Sequence, residues 1–190
     1  YQLPVLEAIG DDPSTTALML FPFKALARDQ VRNLSEMDGS LFTGSNRQLA
    51  AVYDGDTSQG DRKKIRKNPP NILVTNPDML HYSILPYHTK WFEFLKNVKF
   101  LVVDEVHVYK GVFGSQVLQV LRRLLRVLKH YGSEPQIIAC SATIGNPQEL
   151  AEKLLSNSFH VISDSGAPLE EKALLAHFPE DKASSAAVKM

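Results

Sequence analysis

The stretch Phe100-Leu101-Val102-Val103-Asp104-Glu105-Val106-His107 is an apolar run that ends in two carboxylates. The run shows no polar alternation, which is typical of a strand buried on both faces of a parallel sheet. Ligands of open parallel sheets sit beyond the carboxyl ends of the strands. There, Asp104 could hold Mg²⁺ against terminal phosphates, and Glu105 could accept a proton from an attacking water. The alternative is a strand that ends in a solvated acidic turn.

Short apolar runs of the same kind recur along the chain, at residues 17–21, 49–53, 72–75, 136–140 and 159–162. Segments with helical periodicity lie between them, at residues 24–37, 115–131 and 147–155. Strands that alternate with helices predict an α/β fold in three layers, with a central, mostly parallel sheet and helices on both of its faces.

Length, charge and cysteine content narrow the class of protein. The chain has 190 residues, which suits one domain, and 44% of them are hydrophobic. Lys plus Arg equals Asp plus Glu, at 21 each, so any contact with a polyanion must come from a local patch. Cys140 is the one cysteine, which excludes a disulfide framework and a cysteine zinc site and suits a reducing intracellular compartment. A first residue other than Met, Tyr1, suggests a fragment of a longer protein.

Two hydroxyl residues follow the predicted strand at residues 136–140. Ser141 and Thr143 flank Ala142 at that strand end. Their hydroxyls could hydrogen-bond a group at a neighbouring strand end, such as His107, and so couple one site to another. An ordinary strand-to-helix turn, in which Ser and Thr are common, is the alternative.

Two further strand ends carry groups that suit a phosphate. Lys24 lies where the strand at residues 17–21 gives way to a helix, and a cation at a helix N-terminus suits a backbone phosphate. Thr75 and Asn76 follow the strand that starts at Ile72, and either could cap a helix and leave amides free. Plain helix capping explains these residues equally well.

In order and spacing these segments resemble the motifs of superfamily 2 helicases of the DExH/DEAH type. Residues 21–30 resemble motif Ia, residues 75–78 motif Ib, residues 104–107 motif II and residues 141–143 motif III. Residues 53–57, 75–81 and 107–115 further resemble the RecQ-related DNA repair helicases that include the bacterial mitomycin repair factor. The resemblance implies the first RecA-like, or P-loop nucleotidase, domain of such an enzyme.

The resemblance also implies a role for each motif residue. Asp104 would bind Mg²⁺ and Glu105 would orient the attacking water, both beside ATP. His107 would couple hydrolysis to movement together with Ser141 and Thr143. The nucleic-acid contacts would come from motifs Ia and Ib, through Lys24, Arg28, Thr75, Asn76 and Asp78.

The chain departs from the family pattern in three ways. Phe23 stands where motif Ia usually has Thr, and Val106 stands where motif II more often has Ala. The phosphate loop, two glycines four residues apart followed by Lys and Ser or Thr, is missing from the sequence. The pairs Gly39–Gly44 and Gly55–Gly60 have the glycine spacing, but Ser45 and Asp61 follow them instead of Lys.

We therefore expect residues 1–166 to form the first RecA-like domain without its phosphate loop, and residues 167–190 to form a linker or tail toward a second RecA-like domain. The whole protein would be an ATP- and Mg²⁺-dependent DNA helicase with 3′-to-5′ polarity, acting in DNA repair on single strands or on duplexes with a 3′ tail. It would be intracellular, in the nucleus of a eukaryote or the cytoplasm of a prokaryote, while the fragment alone would be inactive. The alternatives are an RNA helicase domain, an inactive nucleic-acid-binding fragment and a nucleotide-dependent scaffold.

Overall fold

The computed structural model describes residues 1–41, 47–142, 144–163 and 166. Within them, one sheet contains five strands that pair in parallel throughout, in the spatial order β2-β3-β1-β4-β5. The strands are β1 (Thr16–Leu20), β2 (Ala50–Val52), β3 (Ile72–Thr75), β4 (Val98–Val103) and β5 (Gln136–Ala139). The predicted α/β class with a parallel sheet is therefore confirmed.

Helices connect the strands and cover both faces of the sheet. The longer helices are α1 (Gln2–Asp11), α2 (Lys24–Leu41), α3 (Gln59–Lys67), α6 (Gly111–His130) and α7 (Pro147–Leu155). Between β3 and β4 the chain forms short turns, namely α4 (Pro77–Met79), a π-helical turn (Leu80–Ile84), a 3₁₀ segment (Leu85–Trp91) and α5 (Phe92–Leu95). A 3₁₀ turn at Val106–Val108 follows β4.

Alternate residues of the buried strands contribute to two separate cores, as expected for a sheet sandwiched between helices. One core joins Leu18 and Leu101 to the apolar stripe of α6, which includes Leu121 and Leu124. The other core lies on the opposite face and joins strand residues to α1 and α2. Its strand residues include Ala17, Met19, Val74 and Val102, and its helix residues include Val5, Ile9, Ala27 and Leu34. The chain therefore has the three layers that its sequence predicts.

The predicted strand at residues 159–162 is wrong. These residues have no ladder partner among those that the structure describes. Phe159 packs partly against the core, but Ile162 is 84% exposed. Apolar character alone predicted this strand, and a strand also needs a neighbour for its backbone hydrogen bonds. The expected linker or tail at residues 167–190 lies outside the described residues.

In the described part of the chain, no helix combines the length and the apolar character that crossing a lipid bilayer requires.

Candidate functional site

The five strands end side by side at one edge of the sheet, which we call the carboxyl edge. The residues that follow the strands at this edge are Phe21, Tyr53, Asn76, Asp104 and Cys140. Backbone pairing continues past the strand ends, because the Asp104 N–H donates to the Leu20 carbonyl at 2.9 Å and the Cys140 N–H donates to the Val103 carbonyl at 3.0 Å. Asp104 and Cys140 are therefore still hydrogen-bonded to the sheet.

The two carboxylates after β4 sit in a tight, unusual turn. Glu105 has a left-handed backbone, with φ of 52° and ψ of 44°, which is uncommon for a residue with a side chain. The Glu105 N–H donates to Asp104 Oδ1 at 2.9 Å, and the Val106 N–H donates to the Cys140 carbonyl at 2.9 Å. The turn thus directs the two acidic side chains differently from an extended strand end, and backbone strain of this kind often accompanies function.

His107 lies between the acidic turn and the end of β5. Its Nδ1 is 3.0 Å from Glu105 Oε2 and accepts a hydrogen bond from the Ala142 N–H at 3.2 Å. One ring nitrogen cannot donate to Glu105 and accept from Ala142 at once, so the two contacts belong to two protonation states of Nδ1. His107 is thus placed to link the strand ends of β4 and β5.

The predicted hydroxyl partners of His107 take another arrangement. Ser141 Oγ donates to the Ala142 carbonyl at 2.9 Å, and the contact with His107 comes from the Ala142 main chain. Thr143 lies outside the described residues. Sequence patterns placed the right segment beside His107 but could not tell a backbone donor from a side-chain donor.

Two tyrosines that the sequence did not single out border Asp104. The Tyr1 hydroxyl donates to Asp104 Oδ2 at 3.3 Å, across 103 positions of sequence. Burial and the negative charge of Asp104 raise the Tyr1 pKa well above its usual range. Tyr109 is 2% exposed, its hydroxyl has no hydrogen-bond partner among the described residues, and burial together with Asp104 raises its pKa as well. No local pattern marks either residue. Tyr109 lies five positions after Asp104 in the chain, and only the tertiary structure brings Tyr1 to the acid.

The donor set around Asp104 suits a magnesium ion that is shared with a nucleotide. Among the described residues, no group of three or more His, Cys, Asp or Glu side chains could hold a metal by itself. Mg²⁺ characteristically uses one or two protein carboxylates and completes its shell with waters and substrate phosphates. The Asp104 carboxylate fits that requirement.

The cations predicted in motif Ia lie at the carboxyl edge, but acids already engage them. Lys24 Nζ is 2.7 Å from Asp56 Oδ1, and Arg28 Nη2 is 2.6 Å from Asp56 Oδ2 and 3.5 Å from Asp54 Oδ2. Hydrogen bonds from Lys24 and Arg28 hold the Asp56 pKa below its usual range. The two acids belong to residues 54–57, which follow β2 and which we call the acidic loop.

Residues of motif Ib have different environments. The Thr75 side chain is 1% exposed, and its hydroxyl donates to the Tyr53 carbonyl at 2.6 Å. Asn76 caps α4 by accepting the Met79 N–H at 2.9 Å, as the capping alternative predicted. Asp78 is exposed and lines a cavity of about 390 Å³ together with Tyr82 and Phe113. The Thr75 hydroxyl is buried and already hydrogen-bonded, so it stabilises the fold, whereas the exposed Asp78 can contact a ligand.

The chain matches a protein family and several individual relatives. The family model described as DEAD/DEAH box helicase matches residues 1–150. The uncharacterized ATP-dependent helicase YprA of Bacillus subtilis is 47% identical over 179 residues, which are 94% of this chain and 23% of that protein. The ATP-dependent helicase HRQ1 of Saccharomyces cerevisiae is 41% identical over 182 residues, which are 94% of this chain and 17% of that protein.

A solved structure agrees with these sequence matches. The helicase MrfA, described as a DUF1998 helicase and solved bound to DNA and to DNA with AMPPNP, superposes with a TM-score of 0.83 at 49% identity. The match covers 88% of this chain and 23% of MrfA. The chain thus spans about a quarter or less of each of these three relatives.

Proposed function

The chain belongs to the DEAD/DEAH box helicase family, and from this premise we propose that it is the first RecA-like domain of a DNA helicase that couples ATP hydrolysis to strand separation. One observation carries the proposal: the carboxyl edge bears paired carboxylates after β4 and cations after β1, which are neighbouring strands. A site for hydrolysis and a site for a polyanion thus share one edge. The activity belongs to the whole protein, of which this chain is one part.

The acidic turn supplies the hydrolytic residues. Asp104 would hold Mg²⁺, which would supply neutralisation of the phosphate charge, and Glu105 accepts the proton of the attacking water. The left-handed backbone of Glu105 gives its carboxylate a direction separate from that of Asp104. The Tyr1 hydroxyl donates to one oxygen of Asp104 and the Glu105 N–H donates to the other, and the two hydrogen bonds hold the carboxylate in place.

His107 connects hydrolysis to the neighbouring strand. A proton on Nδ1 favours the contact with Glu105, and its absence favours the contact with the Ala142 N–H. A change in the protonation of the Glu105 carboxylate during hydrolysis therefore changes the hydrogen bond between His107 and residues 141–143. This two-way contact supports a coupling role for the segment that contains Ser141 and Thr143.

The nucleic-acid half of the edge uses Lys24 and Arg28 as phosphate contacts, with Asn76 and Asp78 at the adjacent strand end. Contacts of this kind position a strand without reading its sequence. Thr75 contributes through the main-chain turn that its buried hydroxyl stabilises, because that hydroxyl already donates to the Tyr53 carbonyl. A second RecA-like domain of the same protein completes the cleft.

DNA is favoured over RNA as the substrate because the similar helicase MrfA was solved bound to DNA. The resemblance to the RecQ-related repair helicases supports 3′-to-5′ movement, a role in DNA repair and an intracellular location. An RNA helicase is the alternative. The full-length protein should unwind a 3′-tailed DNA duplex when ATP and Mg²⁺ are present, and should leave a 5′-tailed duplex and a 3′-tailed RNA duplex paired.

Two outcomes of this unwinding assay would contradict the proposal. Unwinding of the RNA duplex alone would favour the RNA helicase. ATP hydrolysis without unwinding and without stimulation by any nucleic acid would favour a nucleotide-dependent scaffold.

A further inference from the structure

We propose that Asp56 is a built-in competitor for the nucleic-acid phosphate: it occupies Lys24 and Arg28 in the free protein and must be displaced before a strand can bind there. This inference rests on the proposed nucleic-acid role of the two cations and adds the residue that controls their availability. Asp56 thereby sets the affinity for single strands and its dependence on salt.

The contacts around Asp56 are those of a bidentate anion site. One carboxylate oxygen is 2.7 Å from Lys24 Nζ, and the other is 2.6 Å from Arg28 Nη2. Two oxygens of a phosphodiester could make the same pair of contacts, because a carboxylate and a phosphate present similar acceptors to Arg and Lys. The geometry that suits Asp56 is thus also the geometry that suits a backbone phosphate.

The charges of Lys24 and Arg28 are balanced while Asp56 is in place, and Arg62, a further cation beside the acidic loop, donates to main-chain carbonyls there. Lys24 and Arg28 carry two positive charges, and Asp54 and Asp56 carry two negative charges within ion-pair distance of them. A nucleic-acid strand that approaches Lys24 and Arg28 meets little net attraction until the Asp56 side chain turns away. The neutral cluster agrees with a chain that has no overall positive charge, since Lys plus Arg and Asp plus Glu each number 21.

Hydrogen bonds hold the backbone of the acidic loop, whereas the side chain of Asp56 is free to move. Asp54 is 3% exposed, and its Oδ1 accepts the N–H groups of Asp56 and Thr57, both at 2.9 Å. Arg62 donates to the carbonyls of Asp54, Gly55 and Thr57, which fixes the loop from the α3 side. The Asp56 side chain is 52% exposed and can rotate into water while its backbone stays in place.

Asp54 and Asp56 consequently have different functions. The buried Asp54 carboxylate is 3.5 Å from Arg28 and keeps that side chain at the edge in either state. Asp56 makes only solvent-exposed ion pairs, and pairs of this kind contribute little and are easily exchanged. Asp56 is therefore the positioning residue that a phosphate can replace, and Asp54 is its anchor.

The test compares variants of the full-length protein for binding to fluorescein-labelled oligo(dT) over a series of salt concentrations. Asp56→Asn should bind about threefold to tenfold more tightly at low salt, because two exposed ion pairs no longer compete. The slope of log affinity against log salt concentration should also become steeper, by up to about one unit. In the unaltered protein, strand binding releases the Asp56 carboxylate, which then takes up a cation from solution, whereas Asp56→Asn has no carboxylate to release. Asp56→Glu keeps the charge and should restore the original affinity and slope.

Asp61→Asn is the matched control. It removes the same charge a few residues away, where Asp61 pairs with Lys64, but leaves Lys24 and Arg28 occupied. Its affinity and salt slope should equal those of the unaltered protein. Thermal unfolding of each variant should give the original midpoint, which separates altered binding from lost structure.

Three outcomes would overturn the inference. If folded Asp56→Asn bound no more tightly than the unaltered protein, Asp56 would be a scaffold residue, and the proposed function would still stand. Equal tightening by Asp61→Asn would reveal a general charge effect. If Lys24→Gln combined with Arg28→Gln bound normally, the cations would not contact the strand, and the nucleic-acid half of the proposed function would fail together with the inference.

Discussion

Glu105 adopts a positive φ that side-chain-bearing residues seldom tolerate, and it does so next to Asp104 at the end of a strand whose last four residues are buried. Such a conformation costs on the order of 1 kcal/mol or more and persists only where its surroundings enforce it. The hydrogen bonds of its own N–H to Asp104 and of the Val106 N–H to Cys140 provide that enforcement. The strained conformation supports the proposed role of Glu105, because the turn sets the direction of its side chain.

Replacing Glu105 by Gln should remove the general base and leave the shape of the turn intact. We expect kcat for ATP hydrolysis by the full-length protein to fall by about 10²- to 10⁴-fold, since general-base catalysis contributes about that much. Nucleotide affinity, measured with a fluorescent ATP analogue, should change little. The matched control is Glu134→Gln, an exposed glutamate before β5, which should hydrolyse ATP at the normal rate. A Glu105→Gln enzyme with normal kcat would exclude Glu105 as the base.

Cys140 should react slowly as a thiol although it lies at the functional edge. Burial, and after it the charge of Asp104, raises the pKa of Cys140 to about 11. The reactive species is the thiolate, and a raised pKa favours the neutral thiol, so near neutral pH alkylation should be about a hundredfold slower than that of a free cysteine. Iodoacetamide labelling of the 190-residue chain, whose only cysteine is Cys140, measures the rate.

The pH dependence and the unfolded state serve as controls for Cys140. Labelling should accelerate about tenfold per pH unit until the pH approaches the raised pKa. The same chain unfolded in guanidinium should react at the rate of a free cysteine. Rapid labelling of the folded chain at neutral pH would mean that the thiol is neither buried nor under the influence of Asp104.

At the level of the element, the start of α6 depends on one glycine. A Cβ at Gly114 would lie 2.4 Å from the Tyr109 carbonyl oxygen and 2.6 Å from its carbon. Both are backbone atoms, which cannot rotate out of the way. The close approach allows the chain to leave the turn that contains His107 and enter a twenty-residue helix within a few positions. Gly114 thus fixes the position of α6 relative to the acidic turn.

Gly114→Ala should therefore destabilise the fold. We expect the free energy of unfolding to decrease by about 1–3 kcal/mol, as for other overpacked sites. Urea denaturation followed by circular dichroism gives the value. Gly145→Ala is the matched control, because a Cβ there meets nothing within 4 Å, and its effect should stay within about 0.5 kcal/mol. Equal stability of the two variants would mean that α6 can shift to accommodate the methyl group.

At the level of the whole molecule, the order of the strands divides the carboxyl edge into two halves. The central strand β1 lies between β3 and β4, so the cations that follow β1 stand between the acidic turn after β4 and the strand ends of β3 and β2. The residues proposed for hydrolysis and for nucleic-acid binding are thereby held at one edge of the same sheet. A movement of the acidic turn can therefore be transmitted across β1 to the cations.

The 190-residue chain alone should hydrolyse ATP at a negligible rate. Its sequence contains no glycine loop followed by Lys and Ser or Thr, so it lacks the groups that hold the β and γ phosphates. Asp104 and Glu105 can position a metal and a water only around a nucleotide that is itself held. A phosphate-release assay on the purified chain should give the background rate. Turnover that Glu105→Gln abolishes would contradict this expectation.

Much of this fold could be predicted from local sequence. Each strand is a mostly apolar run of a few residues, and α2, α6 and α7 have apolar stripes, so these elements were predicted within a few residues of their observed bounds. Helix α3 buries none of its residues and has no such stripe. The acids, cations and hydroxyls that follow the strands were also predicted to lie at one edge. They do so because parallel strands all end on the same side of a sheet.

The contacts within that edge were decided by tertiary structure. The pairing of Lys24 and Arg28 with Asp56 needs the end of β2 to approach the start of α2. The order β2-β3-β1-β4-β5 depends on how the connecting helices pack on the two faces, and no single segment encodes it. For the same reason the bond between Tyr1 and Asp104 left no local signal, and neither did the lack of a ladder partner for residues 159–162 within the part of the chain that the structure describes. Sequence determined which groups reach the edge, and long-range packing determined which of them contact one another.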